Sequence, residues 1–309
     1  MTKFLHFTDF HLEGENPRHR IGDYPHMLID KQREIYQIAE EEGCQFVTFG
    51  GDWCNYYRIF DYNIIADSMD IVCGSPIKTY MVIGEHDLYG HNIKTFKSST
   101  LAFMIRRCSQ MKVLWEPTQV GEVMLYGKHE PDKMADAIAW EKDSSKVNIL
   151  VCHELLTCTE APFEVINTNT LHNTGYDLVV SGDLHSGFPT HQVEETWYCN
   201  PGSLARRSTK DACRFPQVAI ISIEKGQKSQ IELRRLKCGK PGSEVFGESI
   251  LEIANEGNNA DPSAFATELL QFEAEATDVH DLVQKAGKKA GIREPVLRYI
   301  DSKRKPTVV

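Results

Sequence analysis

The sequence has no apolar run near the ~18 consecutive residues that a membrane span requires, so no membrane partner is expected. Its nine cysteines contain no C-x-x-C pair. An odd, unpatterned count argues against a disulfide framework and fits a reducing compartment. The opening stretch, "MTKFLHFTDFHL", lacks a basic segment followed by an apolar one, and a cytoplasmic protein is expected. Positive charge is scarce. Against 44 Asp and Glu stand 34 Lys and Arg, a formal net charge of −10. Such a chain is not a general binder of phosphate backbones; a local basic strip or a partner must supply that attraction. There is also no ATP-binding motif, so any ATP dependence would come from another subunit.

What is present is an ordinary globular composition, 41% hydrophobic and 25% charged over 309 residues. Short apolar runs alternate with helical patterns. "KFLHFTD", "QFVTFGGD" and "KTYMVIGEHD" read as strands, separated by the helical segments "MLIDKQREIYQIAEEEG" and "YNIIADSMDIVCGS". This rhythm implies parallel strands with crossover helices. "EVMLYGK", "VNILVCHE", "YDLVVSGD", "TWYCNPGS" and "QVAIISIEK" continue as strands with fewer helices between them, which suggests a second sheet. The expected fold is α/β, a layered β-sandwich flanked by helices with a small C-terminal helical extension. Three segments are expected: a catalytic domain over 1–225, a short β extension and linker over 226–260, and a helical segment over 261–309. In the last, Phe265, Leu269, Phe272, Ala276, Val279, Val283 and Ala286 form a heptad-like apolar stripe that must be buried, on a partner or on this chain.

The strand ends carry the chemistry. They bring Asp9 and His11, then Asp52, then Glu85, His86 and Asp87, then His153, then Asp183 and His185. The carboxyl ends of parallel strands are where an open α/β sheet gathers ligands. Each pair alone reads as a solvated turn or a satisfied core histidine. Together they supply the nitrogen and oxygen donors of a two-ion centre, in which a shared carboxylate bridges ions ~4 Å apart.

In this order, D-x-H, G-D, G-x-H-D, H and G-x-x-H, the motifs resemble those of the calcineurin-like metallophosphoesterases over roughly residues 1–225. "FTDFHLEG" and "YCNPGSLARRS" resemble the SbcD-type DNA-repair nuclease subunits within that superfamily. The resemblance implies two divalent ions, Mn²⁺ first and Mg²⁺ as the alternative. Asp9, His11, Asp52 and His185 would hold one ion. Asp52 would bridge to the second, shared with Glu85, His153 and Asp183. His86 would act on the scissile phosphate or the leaving oxygen, with Asp87 holding its ring. Glu85 and Asp183 stand where the family has Asn and His, and both replacements keep an oxygen donor. The implied activity is hydrolysis of DNA phosphodiesters, as exonuclease or endonuclease. The implied partners are DNA, an SMC-like ATPase of SbcC type gripped by the C-terminal helices, and a second copy of the chain. A catalytically weak scaffold subunit and another metallophosphoesterase, a phosphatase or cyclic-nucleotide phosphodiesterase, are the alternatives.

Arg206 and Arg207 are the expected substrate-binding pair, in a basic strip that continues to Lys210. A second strip holds Arg234, Arg235, Lys237 and Lys240. Arg18, His19 and Arg20 lie in a polar segment expected to line the substrate cleft. His91, His172 and His191 are expected to be surface residues.

Overall fold

The computed structural model describes residues 1–160 and 165–247. In chain order the strands are β1 (Thr2–Phe7), β2 (Phe46–Phe49), β3 (Thr79–Met81), β4 (Met111–Val113), β5 (Thr118–Val120), β6 (Val123–Lys128) and β7 (Val147–Glu154). There follow β8 (Leu156–Thr157), β9 (Ile166–Asn167), β10 (Leu178–Asp183), β11 (Phe188–Val193), β12 (Thr196–Asn200), β13 (Gln217–Ile223) and β14 (Gln230–Arg235). The α-helices are α1 (Tyr24–Glu41), α2 (Tyr62–Gly74), α3 (Thr100–Arg107), α4 (Met134–Ala139) and α5 (Gly242–Phe246).

Two six-stranded sheets result, ordered β14-β13-β1-β2-β3-β4 and β11-β12-β10-β7-β6-β5. β1 to β4 are parallel, as are β6, β7, β10 and β12, while β13, β14, β5 and β11 run antiparallel at the margins. This is the mixed α/β sandwich expected. β14 lies beyond residue 225 yet pairs along its length with β13, so the first sheet takes in part of the segment read as an extension. The expected helices of 261–309 lie outside the described residues.

Period-two alternation decides which layer each side chain enters. On β1, Phe4 faces the second sheet, whereas Leu5 and Phe7 join the core under the helices. On β7, Ile149 and Val151 fill the space between the sheets, and Leu150 and Cys152 face the opposite side. α1 starts where Asp23 accepts a hydrogen bond from the His26 amide, next to Pro25. α2 starts where the Asp61 carboxylate accepts from the Asn63 and Ile64 amides. α3 was not legible in the sequence, being only eight residues long; Ser99 caps it through the Ala102 amide.

The sheets meet most closely at their ligand-bearing ends. Gly50, after β2, and Gly182, in β10, approach each other so tightly that a Cβ on Gly182 would overlap Thr8 Oγ1 and the Gly50 carbonyl. His6 on β1 reaches the Ser181 carbonyl of β10 at 3.4 Å. Glycine is required here because backbone, not a flexible side chain, occupies the space a methyl group would need. Gly182→Ala should therefore lower stability by ~1–3 kcal/mol, the usual range for overpacking. A fall in the urea midpoint at unchanged slope is the expected reading, and an unchanged midpoint would contradict it.

Candidate metal centre

The chain leaves β1, β2 and β10 through strained turns. Asp9, His11, Asp52 and Asp183 all adopt positive φ, at 50°, 47°, 60° and 73°. Non-glycine residues rarely enter this region, and such strain concentrates at functional sites. Here the turns aim side chains from both sheets at one point. Asp52 Oδ2 lies 3.7 Å from His11 Nε2 and 3.7 Å from His153 Nε2. Asp9 Oδ1 lies 3.6 Å from His185 Nε2 and 4.0 Å from His11 Nε2. The His11 and His185 Nε2 atoms approach to 3.0 Å. Three overlapping donor groups result: Asp9, His11 and His185; Asp9, Asp52 and His153; and His11, Asp52 and His86. Asp9, His11 and Asp52 each belong to two of them.

The donors fit a divalent cation. The His153 Nδ1 atom faces the Gly50 carbonyl at 2.8 Å. A carbonyl only accepts, so Nδ1 must donate, and Nε2 is the ring atom left to face an ion once it has shed its proton. That Nε2 is buried and has no hydrogen-bond partner among the described residues. Burial opposes charge on His153, yet the Asp52, Asp9 and Asp183 carboxylates together raise its pKa to about 9. Burial likewise raises the Asp52 carboxyl well above its ordinary value, and raises Asp183, where Asp9 and Glu85 add like-charge repulsion. Burial and the neighbouring cationic groups push His11 the other way, well below the usual imidazole range. Buried carboxylates in excess of local cations are a site short of positive charge.

Glu85 and Asp183 fall outside the three donor groups. Both remain close electrostatically, since the charges of Glu85, Asp9 and Glu154 all act on Asp183. The Asp183 amide donates to both Asp9 carboxylate oxygens, at 3.2 Å each, and so orients a donor. Thr8 Oγ1 adds a third hydrogen bond to Asp9, at 2.7 Å.

His86 stands at the rim, with its amide bonded to Asp52 Oδ1 at 2.9 Å. Its Nδ1 meets the Asn55 carbonyl at 2.7 Å, which turns Nε2 toward the centre's mouth, 3.6 Å from Glu85 Oε1. Asp87 does not hold this ring, contrary to expectation. It is fully buried and accepts hydrogen bonds from the Trp53, Cys54 and Gly84 amides, clamping the turn that carries Asp52 to the turn that carries His86. A carboxylate near backbone N–H groups satisfies them before it reaches a neighbouring ring.

Arg206 also departs from expectation. It is buried, and its guanidinium donates to the Arg214 and Lys240 carbonyls, so it braces the loop instead of meeting substrate. Arg207 does reach the cleft wall, where its guanidinium pairs with Glu13 at 3.0 and 3.2 Å. Glu13 also accepts from Asn55 at 2.9 Å. Arg20 is buried with its guanidinium 4.9 Å from the Tyr24 ring centre, whereas Arg18 does line the cleft. In the second strip, Arg234 pairs with Glu42 and Glu232, and Arg235 lies over Phe215.

Three residues were missed in the sequence. Glu13 and Asn55 knit the cleft wall, two and three positions beyond His11 and Asp52. Lys128, buried at the end of β6, donates to the His153 carbonyl at 2.8 Å and pairs with Glu154 at 2.8 Å. The signal for Lys128 was a lone lysine closing an apolar strand.

A sandwich of two mixed sheets whose strand ends gather carboxylates and imidazoles has the makings of a metal-dependent hydrolase. The chain belongs to the calcineurin-like phosphoesterase family, whose model matches residues 2–187. Members are metal-dependent hydrolases. Comparison with curated proteins returns no match. Among solved structures, a purple acid phosphatase from yellow lupin (Lupinus luteus) seeds is similar at TM-score 0.51 and 11% identity, covering 76% of this chain and 51% of that one. A protein of Thermus thermophilus has TM-score 0.49 and 11% identity, covering 75% and 98%. A dimetal phosphatase from Danio rerio has TM-score 0.47 and 9% identity, covering 76% and 96%. At these identities the likeness is one of fold. No helix among the described residues is long and apolar enough to cross a membrane.

The raised pKa of His153 has a measurable consequence. At pH 7 the imidazole is protonated, and coordination through Nε2 requires that proton to leave. Metal affinity should rise with pH up to about 9, where that cost disappears. Titration calorimetry with Mn²⁺ at pH 7, in buffers of different ionisation enthalpy, should show proton release on binding. Heats independent of the buffer would contradict this.

Proposed function

We propose that this protein is a divalent-metal-dependent DNA nuclease, hydrolysing phosphodiester bonds with two ions, as the SbcD-type subunit of a repair or recombination complex. One observation carries the reading most directly. His86 is fixed by the Asn55 carbonyl at the rim of the donor cluster, in a small cavity that shares Tyr56 with a larger groove lined by Glu13, Arg18, Arg58 and Arg207. A monoester needs only the centre; an adjoining groove suits a substrate that continues past the scissile phosphate.

Asp9, His11, Asp52, His153 and His185 would hold the ions, with Mn²⁺ favoured and Mg²⁺ the alternative. When bound, such ions neutralise phosphate charge and raise the acidity of water. The protein's own contribution is orientation and proton handling. With Nδ1 donating to Asn55, His86 carries a proton on Nε2 only in its cationic form. It is therefore placed to donate that proton to the leaving oxygen, or a hydrogen bond to the phosphate. Asp87 keeps His86 in register with Asp52 through the backbone. Glu85 and Asp183 add negative charge around the second ion's position, which favours hard cations. The 261–309 segment would dock on the coiled-coil root of an SMC-like ATPase, and a second copy of the chain would extend the DNA surface.

The test is hydrolysis of linear and hairpin DNA with Mn²⁺ or Mg²⁺, comparing native protein with His86→Ala. The substitution should lower the rate by roughly 10²–10⁴-fold with metal content retained. Equal rates would remove His86 from the chemistry. Hydrolysis of p-nitrophenyl phosphate but not DNA would make the protein a phosphatase. A metal-loaded protein inert to both would be a scaffold subunit.

A further inference from the structure

Beside the centre lies a groove of about 1270 Å³. Its wall carries three large aromatic rings that the fold leaves in solvent: Tyr56 at 58% exposure, Phe60 at 79% and Tyr62 at 75%. Arg18 and Arg58 line the same groove. Solvated rings are common singly; three within seven residues, interleaved with an arginine, form a patch. The patch is also held in place. The Asp61 carboxylate between Phe60 and Tyr62 caps α2, and Gly14, three residues beyond His11, packs so closely on Asp61 that a Cβ would overlap it. Tyr56 lines this groove and also a smaller cavity of about 310 Å³ that contains Glu85 and His86. Tyr56 thus joins the cavity that holds His86 to the groove that holds the other two rings.

The charges of the groove select among occupants. Its cations are Arg18, Arg58 and Arg207, and its anions are Glu13, Glu15 and Asp61. Glu13 is neutralised by Arg207, and Asp61 is satisfied by two amides. A nearly balanced groove is a poor bed for duplex DNA, whose affinity comes chiefly from phosphate neutralisation. Exposed rings beside arginines suit unstacked bases, each of which presents a π-face whatever its sequence.

We infer that Tyr56, Phe60 and Tyr62 form a stacking subsite for the bases of a single strand, next to the scissile phosphodiester. This rests on the nuclease reading for what the centre does to that strand, but binding can be tested apart from cleavage. The probe is a short single-stranded oligonucleotide carrying 2-aminopurine, whose fluorescence is quenched on stacking. The full chain should quench it. Phe60→Ala/Tyr62→Ala should lose the quench and weaken binding by about thirtyfold or more. Phe60→Trp/Tyr62→Trp should restore both. An oligonucleotide with abasic sites in place of bases should bind native and Ala variants alike. Quenching without cleavage would uphold the subsite and sink the nuclease reading. Cleavage of the oligonucleotide with no quench, or with a quench that survives the double Ala substitution, would overturn the subsite and leave the nuclease reading standing.

Discussion

The contact of two sheets at Thr8, Gly50 and Gly182 is the constraint on which the centre depends. Asp9 and Asp52 come from the first sheet; His153, Asp183 and His185 come from the second. Only where the strand ends almost touch can donors from both lie within a few ångströms. The His153 ring shows the dependence most simply. It belongs to the second sheet, but the carbonyl that fixes its tautomer belongs to Gly50 of the first. A side chain on either glycine would push apart the groups that the fold brings together.

That convergence places like charges side by side. Asp9, Asp52, Asp87 and Asp183 are all mostly buried at one end of the molecule. They are not equivalent. Asp87 is consumed by three amides, and burial pushes its carboxyl up to about 6 against their pull. Asp52 is left facing two imidazoles. On the far side, Lys128 provides a buried ammonium for Glu154, and its hydrogen bond to the His153 carbonyl ties that ion pair to a donor strand. Structural and chemical carboxylates thus occupy adjacent turns and are told apart by how many backbone N–H groups claim them: three for Asp87, one each for Asp9 and Asp52.

The sandwich and the donor cluster were legible because each donor follows its own apolar strand, and strand ends are easy to see in sequence. Asp9, His11, Asp52, His153 and His185 were found that way. What was not legible depends on partners without a sequence signature. The backbone carbonyl that holds His86 belongs to Asn55, and the amides that claim Asp87 could belong to any residue type. Arg206 and Arg207 are neighbours in one motif, yet one braces a loop and the other walls the cleft; that difference is set by packing. Glu85 and Asp183 were read as donors from alignment with a family pattern, and proximity alone left them outside the donor groups. The 226–260 boundary was blurred because β14 is a half-exposed edge strand, without the apolar run of a central one.

The left-handed backbone at Asp9, His11, Asp52 and Asp183 makes this end of the molecule a place where function is held against stability. Each of these residues is bulkier than its conformation favours, and most carry charge that repels a neighbour. At these four positions the backbone hydrogen bonds of Asp9 and Asp52 are set against torsion and repulsion. Replacement by glycine or asparagine would ease both torsion and repulsion. The cluster is thus a cost to the fold that only its chemistry accounts for.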